Sequence, residues 1–256
     1  MILTEGGAAR EPAALTVRLA QGEHEIEQAL RLRYSVFVEE ERNLQMRSEA
    51  GLETDAYDAY CDHLIVVDEE TQRVVGTYRL LPGPRAGSAI GFYSESEFNL
   101  DSFTVDRMHT LELGRSCIHP EYRGGRTIGL LWEGIADYIT KHDLHYLIGC
   151  ASMHLRTIEE TNLIYTMLKR KDILTDRFGV RPLETHRIAG LKTVETDLEE
   201  KEVFRMLPPL MKGYQWLGAE IGGDPAYDSI FGTVDFFIVL QKDRVARRYR
   251  KHFLKS

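Results

Sequence analysis

Glu112-Leu-Gly-Arg115-Ser-Cys117-Ile runs into His119-Pro-Glu-Tyr-Arg123-Gly124-Gly125-Arg126-Thr127, and an apolar-striped segment follows. Thr110–Ile118 reads as a buried strand that stops at Pro120. Thr127–Lys141 carries Leu130, Leu131, Ile135, Tyr138 and Ile139 at helical spacing, which predicts an amphipathic helix. A strand that enters a helix through a Gly- and Arg-rich turn makes an anion site. The first N–H groups of the helix have no intrahelical partner, and the helix dipole favours negative charge there. Arg123 and Arg126 add charge, Gly124 and Gly125 allow close backbone approach, and Thr127 opens the helix. The segment lacks both the GK[ST] of a Walker loop and the GxGxxG of a dinucleotide fold. An arginine-rich helix cap with no ligand fits the same pattern.

Glu112 and Arg115 stand three apart, so a regular strand would point them to opposite faces. A bulge at Gly114 would bring both to one face, and a splayed strand would free backbone N–H groups around Leu113–Ser116. A buried structural Glu–Arg pair is the alternative. Cys117 reads as a small buried thiol rather than a nucleophile served by His119. A second segment, Asp55-Ala-Tyr-Asp58-Ala-Tyr-Cys-Asp62-His63, gathers carboxylates just before a strand. It suits a cationic substrate or a solvated acidic loop. It lacks the spacing of a calcium loop, so no metal is expected.

Outward from these segments, Leu15–Leu19 alternates as a half-buried strand and Glu23–Glu41 has the stripe of a helix. Residues 42–60 form a long polar connection, and His63–Asp68 with Val74–Leu81 reads as a hairpin. Tyr146–Ser152 and Thr233–Leu240 read as buried strands, Ile158–Arg170 as a helix, and the basic end as a last helix. The order predicts a mixed α/β sheet (α+β) flanked by helices, not a doubly wound one. Residues 1–13 are expected to be disordered, and 14–256 to form one domain with a C-terminal extension from about 175.

The 256 residues carry a net charge of -8, with 43% hydrophobic and 28% charged residues. The balance is uneven: residues 241–256 hold a local +6, which leaves -14 on the remainder. An acidic body disfavours nonspecific nucleic-acid binding, and the basic tail suits an anionic partner, a lipid head group or solvent. Three cysteines without CxxC spacing argue against a disulfide framework or a zinc knuckle. No apolar run is long enough to span a bilayer, and Met1–Pro12 has no signal-peptide pattern, so a cytoplasmic location is expected.

The stretch ELGRSCIHPEYRGGRTIGLLWEGIADYI, with YLIGCASM after it, resembles bacterial ornithine lipid N-acyltransferases of the hemolysin-like GNAT group. LRYSVFVEE, YCDHLIVVD, VVGTYRLL, GFYSESEF and GTVDFFIVLQKDRVARRYRKHF extend the resemblance over nearly the whole chain from residue 15. More distantly the chain is similar to acyl-homoserine lactone synthases and long-chain N-acyl amino acid synthases. On the lactone synthase pattern fall Arg33, Phe37, Asp55, Asp58, Arg79, Glu112 and Arg115; the Trp that follows the Phe there has no match here.

The resemblance implies a GNAT-like fold with a central, mostly antiparallel sheet splayed at a cleft strand. It implies transfer of a long-chain, 3-hydroxy acyl group from acyl carrier protein to the α-amine of ornithine, the first step of amino-lipid synthesis. The donor is acyl-4'-phosphopantetheine, with no tightly bound cofactor. Its phosphate would sit at Arg123–Thr127. Glu112 would remove the amine proton, a backbone N–H near Ser116 would polarise the thioester, and Arg115 or Arg79 would pair with the acceptor's carboxylate. Arg33, Phe37, Asp55, Asp58 and Asp62 complete the expected substrate site. The basic tail and Arg123 would meet the carrier protein, and the tail would give peripheral contact with the inner membrane face. Alternatives are an N-acyl amino acid synthase for glycine or another amino acid, a lactone synthase, or a non-enzymatic membrane-associated lipid-binding protein.

Overall fold

The computed structural model describes residues 14–123 and 125–244. The expected disorder of residues 1–13 and most of the basic tail, 245–256, lie outside them, as does Gly124. β1 (Leu15–Leu19), β2 (Asp62–Asp68), β3 (Arg73–Pro82) and β4 (Thr110–Ile118) pair antiparallel in sequence order. β4 then lies parallel to β5 (Tyr146–Met153). Beyond β5 come β6 (Leu174–Thr175), β7 (Glu220–Gly222), β8 (Ala226–Asp228) and β9 (Thr233–Gln241). The nine-stranded order is β1-β2-β3-β4-β5-β9-β7-β6, with β8 also on β9. This is the mixed, mostly antiparallel sheet the sequence predicts.

The central strands are apolar on both faces because both are covered. In β9 every residue from Thr233 to Leu240 is buried, as expected of a strand between two layers. On one face, α2 (Arg126–Lys141) lays Leu131, Ile135 and Ile139 into a core with Leu64, Val66 and Leu80. α3 (Ile158–Arg170) starts at Thr157, whose hydroxyl accepts the Glu160 N–H at 3.2 Å. α4 (Glu200–Met206) and α5 (Pro209–Trp216) lie in the C-terminal extension, and α5 buries Met211 and Tyr214 in this core. On the other face, α1 (Gly22–Tyr34) packs Ala29 and Leu32 against Ile65, Val67 and Val74.

One element differs from expectation, and one that the sequence leaves ambiguous is resolved. The helix predicted over Glu23–Glu41 is α-helical only to Tyr34 and continues as a wider π-turn over Ser35–Glu40. The widened turn buries Val36 and Val38 and leaves Phe37 half-buried beside the cleft. Phe92–Phe98 resolves into a 3-10 turn, Tyr93–Ser96, whose N-terminal N–H groups point at β4.

Candidate active site

The cleft begins where β4 and β5 part. They pair only through Thr110–Glu112 and Tyr146–Ile148. At the next residue of β5, Gly149, a Cβ would lie 2.4 Å from the Leu113 carbonyl oxygen. Glycine therefore lets the strands stay close at the parting point. From Leu113 onward no strand among the described residues pairs with β4 on that side, so its backbone faces the cleft. On its other side the register against β3 shifts between Thr77 and Arg79, and Arg115 takes the left-handed conformation with φ +51°. The extra residue brings Glu112 and Arg115 to the same side. The Tyr93 N–H donates to Glu112 at 2.5 Å, and the Arg115 guanidinium lies 4.7 Å from the Tyr93 ring centroid.

Arg115 belongs to a closed ring of alternating charge. Arg33 donates to Glu53 and to Asp58, the latter at 2.6 Å. Arg79 donates to Asp55 at 2.6 Å and Asp58 at 3.2 Å. Arg115 donates to Glu53 at 3.1 Å and Asp55 at 3.0 Å. Three arginines and three carboxylates thus neutralise one another, with Arg33 fully buried. Burial alone would raise Asp58, but hydrogen bonding and charge from Arg33, then Arg79, outweigh it and hold the carboxyl at about 2.

This geometry reassigns several expected substrate contacts. Asp55, Asp58, Arg33 and Arg79 face one another and brace the loop before β2. Asp62 lies elsewhere, bonded to Arg85 at 2.9 Å and to the Tyr138 hydroxyl at 2.6 Å. Glu53 completes the ring and was not singled out in the sequence; its only signal was its place two residues before Asp55.

Glu112 is buried and accepts three hydrogen bonds. The Ser94 N–H and hydroxyl reach Oε1 at 2.8 and 2.5 Å, and the Tyr93 N–H reaches Oε2. Burial raises its carboxyl, and these donors partly offset that. One lone pair on Oε2 remains. Ser116 lies beside the Tyr78 hydroxyl, which approaches that of Tyr214 at 3.3 Å.

Two cavities meet here. The inner one, about 290 Å³, runs from Glu112, Gly114 and Arg115 to Asp228 and Asp235. The outer one, about 700 Å³ and mainly apolar, follows β4 past Cys117 to Ile128, Trp132 and Trp216. Phe37, Glu41, Ser116, Pro208 and Leu210 line both. At the outer end Gly125 precedes α2 with φ +93°, and no side chain caps the helix.

Other expected phosphate ligands are differently placed. The Thr127 hydroxyl donates to the Tyr122 carbonyl at 2.9 Å and is buried. Arg123 makes a two-pronged pair with Glu40 at 2.6 and 2.7 Å. Arg126 is exposed. Cys117 is buried, and burial pushes its thiol well above the usual range, as a packing residue would show.

Residues 32–133 match the acetyltransferase (GNAT) domain. Over 250 residues the chain is 38% identical to the L-ornithine N(alpha)-acyltransferase of Brucella abortus (strain 2308), covering 94% of this chain and 89% of that protein. It is 39% identical over 253 residues to the L-ornithine N(alpha)-acyltransferase of Rhizobium meliloti (strain 1021), covering 94% and 84%. The chain belongs to the L-ornithine N(alpha)-acyltransferase family. Its fold extends to the AHL synthase LasI, with a TM-score of 0.55 at 13% identity over 94% of this chain and 96% of that one.

A member of the L-ornithine N(alpha)-acyltransferase family is an enzyme, so the non-enzymatic lipid-binding alternative gives way. Acyl transfer to an amine needs an apolar channel for the chain, donors for the thioester oxygen and a polar chamber for the amine. The outer cavity, the unpaired edge of β4 and the inner cavity have these characters in that order. Among the described residues no helix is long and apolar enough to cross a membrane.

Proposed function

We propose that the protein moves a long-chain, 3-hydroxy acyl group from acyl carrier protein to the α-amine of ornithine, the first step of an amino-lipid. The observation that carries this reading is the pair of cavities meeting at the parted edge of β4. The acyl-pantetheine arm lies in the outer cavity along β4, with its phosphate toward the uncapped start of α2 at Gly125 and Arg126. Backbone N–H groups between Leu113 and Ser116 polarise the thioester carbonyl. The amine approaches from the inner cavity, and the open lone pair of Glu112 takes its proton, directly or through one water. Transfer is direct: the C–N bond forms as the thioester C–S bond breaks, and the carrier's sulfur leaves as a thiolate that takes up the proton Glu112 removed from the amine. Cys117, buried and protonated, takes no part.

The acceptor in the relatives' names supports ornithine, and the match spans 94% of this chain and 89% and 84% of theirs. Docking of the carrier falls to the basic tail, since Arg123 is already paired with Glu40. The same tail would meet the inner membrane face from the cytoplasm, where such a lipid product is needed.

The test is acyl transfer from purified 3-hydroxyacyl carrier protein to ornithine, read by mass spectrometry alongside the lipids of a host lacking amino-lipids. Lyso-ornithine lipid is the expected product. An N-acyl product with glycine alone, or a homoserine lactone from S-adenosylmethionine, would replace this reading.

A further inference from the structure

The far end of the inner cavity is acidic and is not used by the chemistry above. Glu97, Asp228 and Asp235 are 2%, 4% and 3% exposed. Among the described residues, no lysine, arginine or histidine forms an ion pair with any of them, whereas the nearby ring matches every carboxylate with arginine. Neither Glu97 oxygen meets a donor in good hydrogen-bond geometry, and its near polar neighbours are the Asp235 carboxyl and the Cys150 thiol. An oxygen of Glu97, an oxygen of Asp235 and Sγ of Cys150 lie within 4.8 Å of one another. Asp235, Asp228 and Cys150 line the cavity; Glu97 does not line it and lies beside Asp235 and Cys150.

Two of these carboxylates are held in place. The Thr233 hydroxyl donates to one Asp235 oxygen at 2.7 Å and the Ser152 hydroxyl to the other at 3.0 Å. Oδ1 of Asp228 takes the N–H groups of Ile230 and Phe231 at 2.6 and 3.1 Å, leaving Oδ2. Glu97 has no such donors, and buried carboxylate oxygens left in that state are costly. Burial, together with the charges of Asp235 and Asp228, pushes Glu97 up to about 9, so this end holds a proton where no cation replaces it.

We propose that Asp235 and Asp228, with Glu97 beside Asp235, form the subsite for the side-chain ammonium of a diamino acid acceptor. An ammonium brings the positive charge that this group of buried carboxylates lacks, together with three donors. The inner cavity, about 290 Å³, has the size for one small amino acid between this end and Arg115. Bound this way, the acceptor presents its α-amine toward Glu112 and Gly114 while its second amine is neutralised and kept from the thioester. A metal ion is a poorer occupant. Its ligands must be deprotonated, and burial holds the Cys150 thiol far above its usual range, donating to the Ser94 hydroxyl at 3.5 Å. Neutral amino acids leave the carboxylates unmatched and are rejected.

This inference rests on the reading of the acceptor as an amino acid and makes a separate prediction. Purified enzyme is titrated calorimetrically with L-ornithine and with L-norvaline, which has the same carbon chain without the second amine. The same two acceptors are compared by kcat/KM with acyl carrier protein as donor, in the native enzyme and in E97Q/D235N. The expected results are at least about 100-fold tighter binding and higher kcat/KM for ornithine, with the ratio collapsing toward one in the variant.

Equal binding of the two acceptors to the native protein overturns the subsite, and needs no variant to fold. An unchanged kcat/KM ratio in a folded E97Q/D235N overturns it as well. So does one equivalent of bound metal whose removal by chelator abolishes the preference. Failure to acylate any amino acid defeats the functional reading instead, and the native-protein titration still decides the subsite.

Discussion

Arg33 and Arg115 hold the two oxygens of one buried carboxylate, Glu53, from opposite sides. One arginine comes from α1 and the other from the bulge of β4, so this carboxylate ties the first helix to the cleft strand. Removing it leaves two buried guanidiniums each short of a partner. Glu53→Ala is expected to cost about 3–5 kcal/mol, read as a fall in urea midpoint at constant m. A loss below about 1 kcal/mol would show that the ring carries little stability.

The ring also sets a response to acid. The Asp58 carboxyl is held at about 2 in the fold against an ordinary 3.8. Its contribution, about 2 kcal/mol, is therefore fully present above pH 3.8 and lost as pH falls through 2. Unfolding of native protein and Asp58→Asn should differ most at neutral pH and converge below pH 3.8. A gap that does not change with pH would mean Asp58 acts by packing alone.

Glu97 has the opposite sign. Its carboxyl is raised from 4.5 to about 9, so between those values the unfolded chain is ionised while the fold keeps the proton. Stability contributed at this position falls as pH rises through that window. Glu97→Gln is expected to stabilise the unliganded protein at pH 8 by about 1–3 kcal/mol and to change little at pH 4. Scanning calorimetry at the two values checks it; a destabilised variant at pH 8 would show that Asp235 or Cys150 satisfies Glu97 in the fold.

Glu112→Gln should lower kcat by about 100-fold or more and remove the acidic limb of the pH–rate profile. An amide also sets an N–H₂ against the Tyr93 or Ser94 donors, so thermal melting must accompany the kinetics. A folded variant with an unchanged pH profile would leave Glu112 only the work of holding the Tyr93–Ser96 turn.

Gly149→Ala places a methyl group 2.4 Å from the Leu113 carbonyl. The two strands must separate at the point where they now part. The expected cost is about 1–3 kcal/mol, with acyl transfer falling further than stability requires because the oxygen-binding edge of β4 shifts. A variant with native kcat/KM would show that this edge tolerates displacement.

Much of the fold was legible in the sequence because hydrophobic period decides burial. The runs in β2, β3, β4, β5 and β9 could only be covered strands, and the stripe on α2 could only face them. The bulge was legible as a condition, since three-residue spacing between Glu112 and Arg115 demands one. What the sequence did not carry was pairing across distance. Asp55 and Asp58 look free for a substrate until Arg33, Arg79 and Arg115 arrive from three other elements. Thr127 looks like a phosphate ligand until the chain turns its hydroxyl back to Tyr122. The acidic end was missed because its members sit singly, 138 positions apart in the case of Glu97 and Asp235. The one local sign was Asp235 itself, a carboxylate inside an otherwise apolar strand.

The alternating ring of three arginines and three carboxylates has a consequence for how this sequence can drift. No one of the six positions can change sign or lose charge without stranding a neighbour in the interior. A descendant that replaces one of them must change another in the same step or pass through an unstable intermediate. Arg33, Glu53, Asp55, Asp58, Arg79 and Arg115 are therefore expected to be inherited as a block, though they are scattered over four segments of the chain.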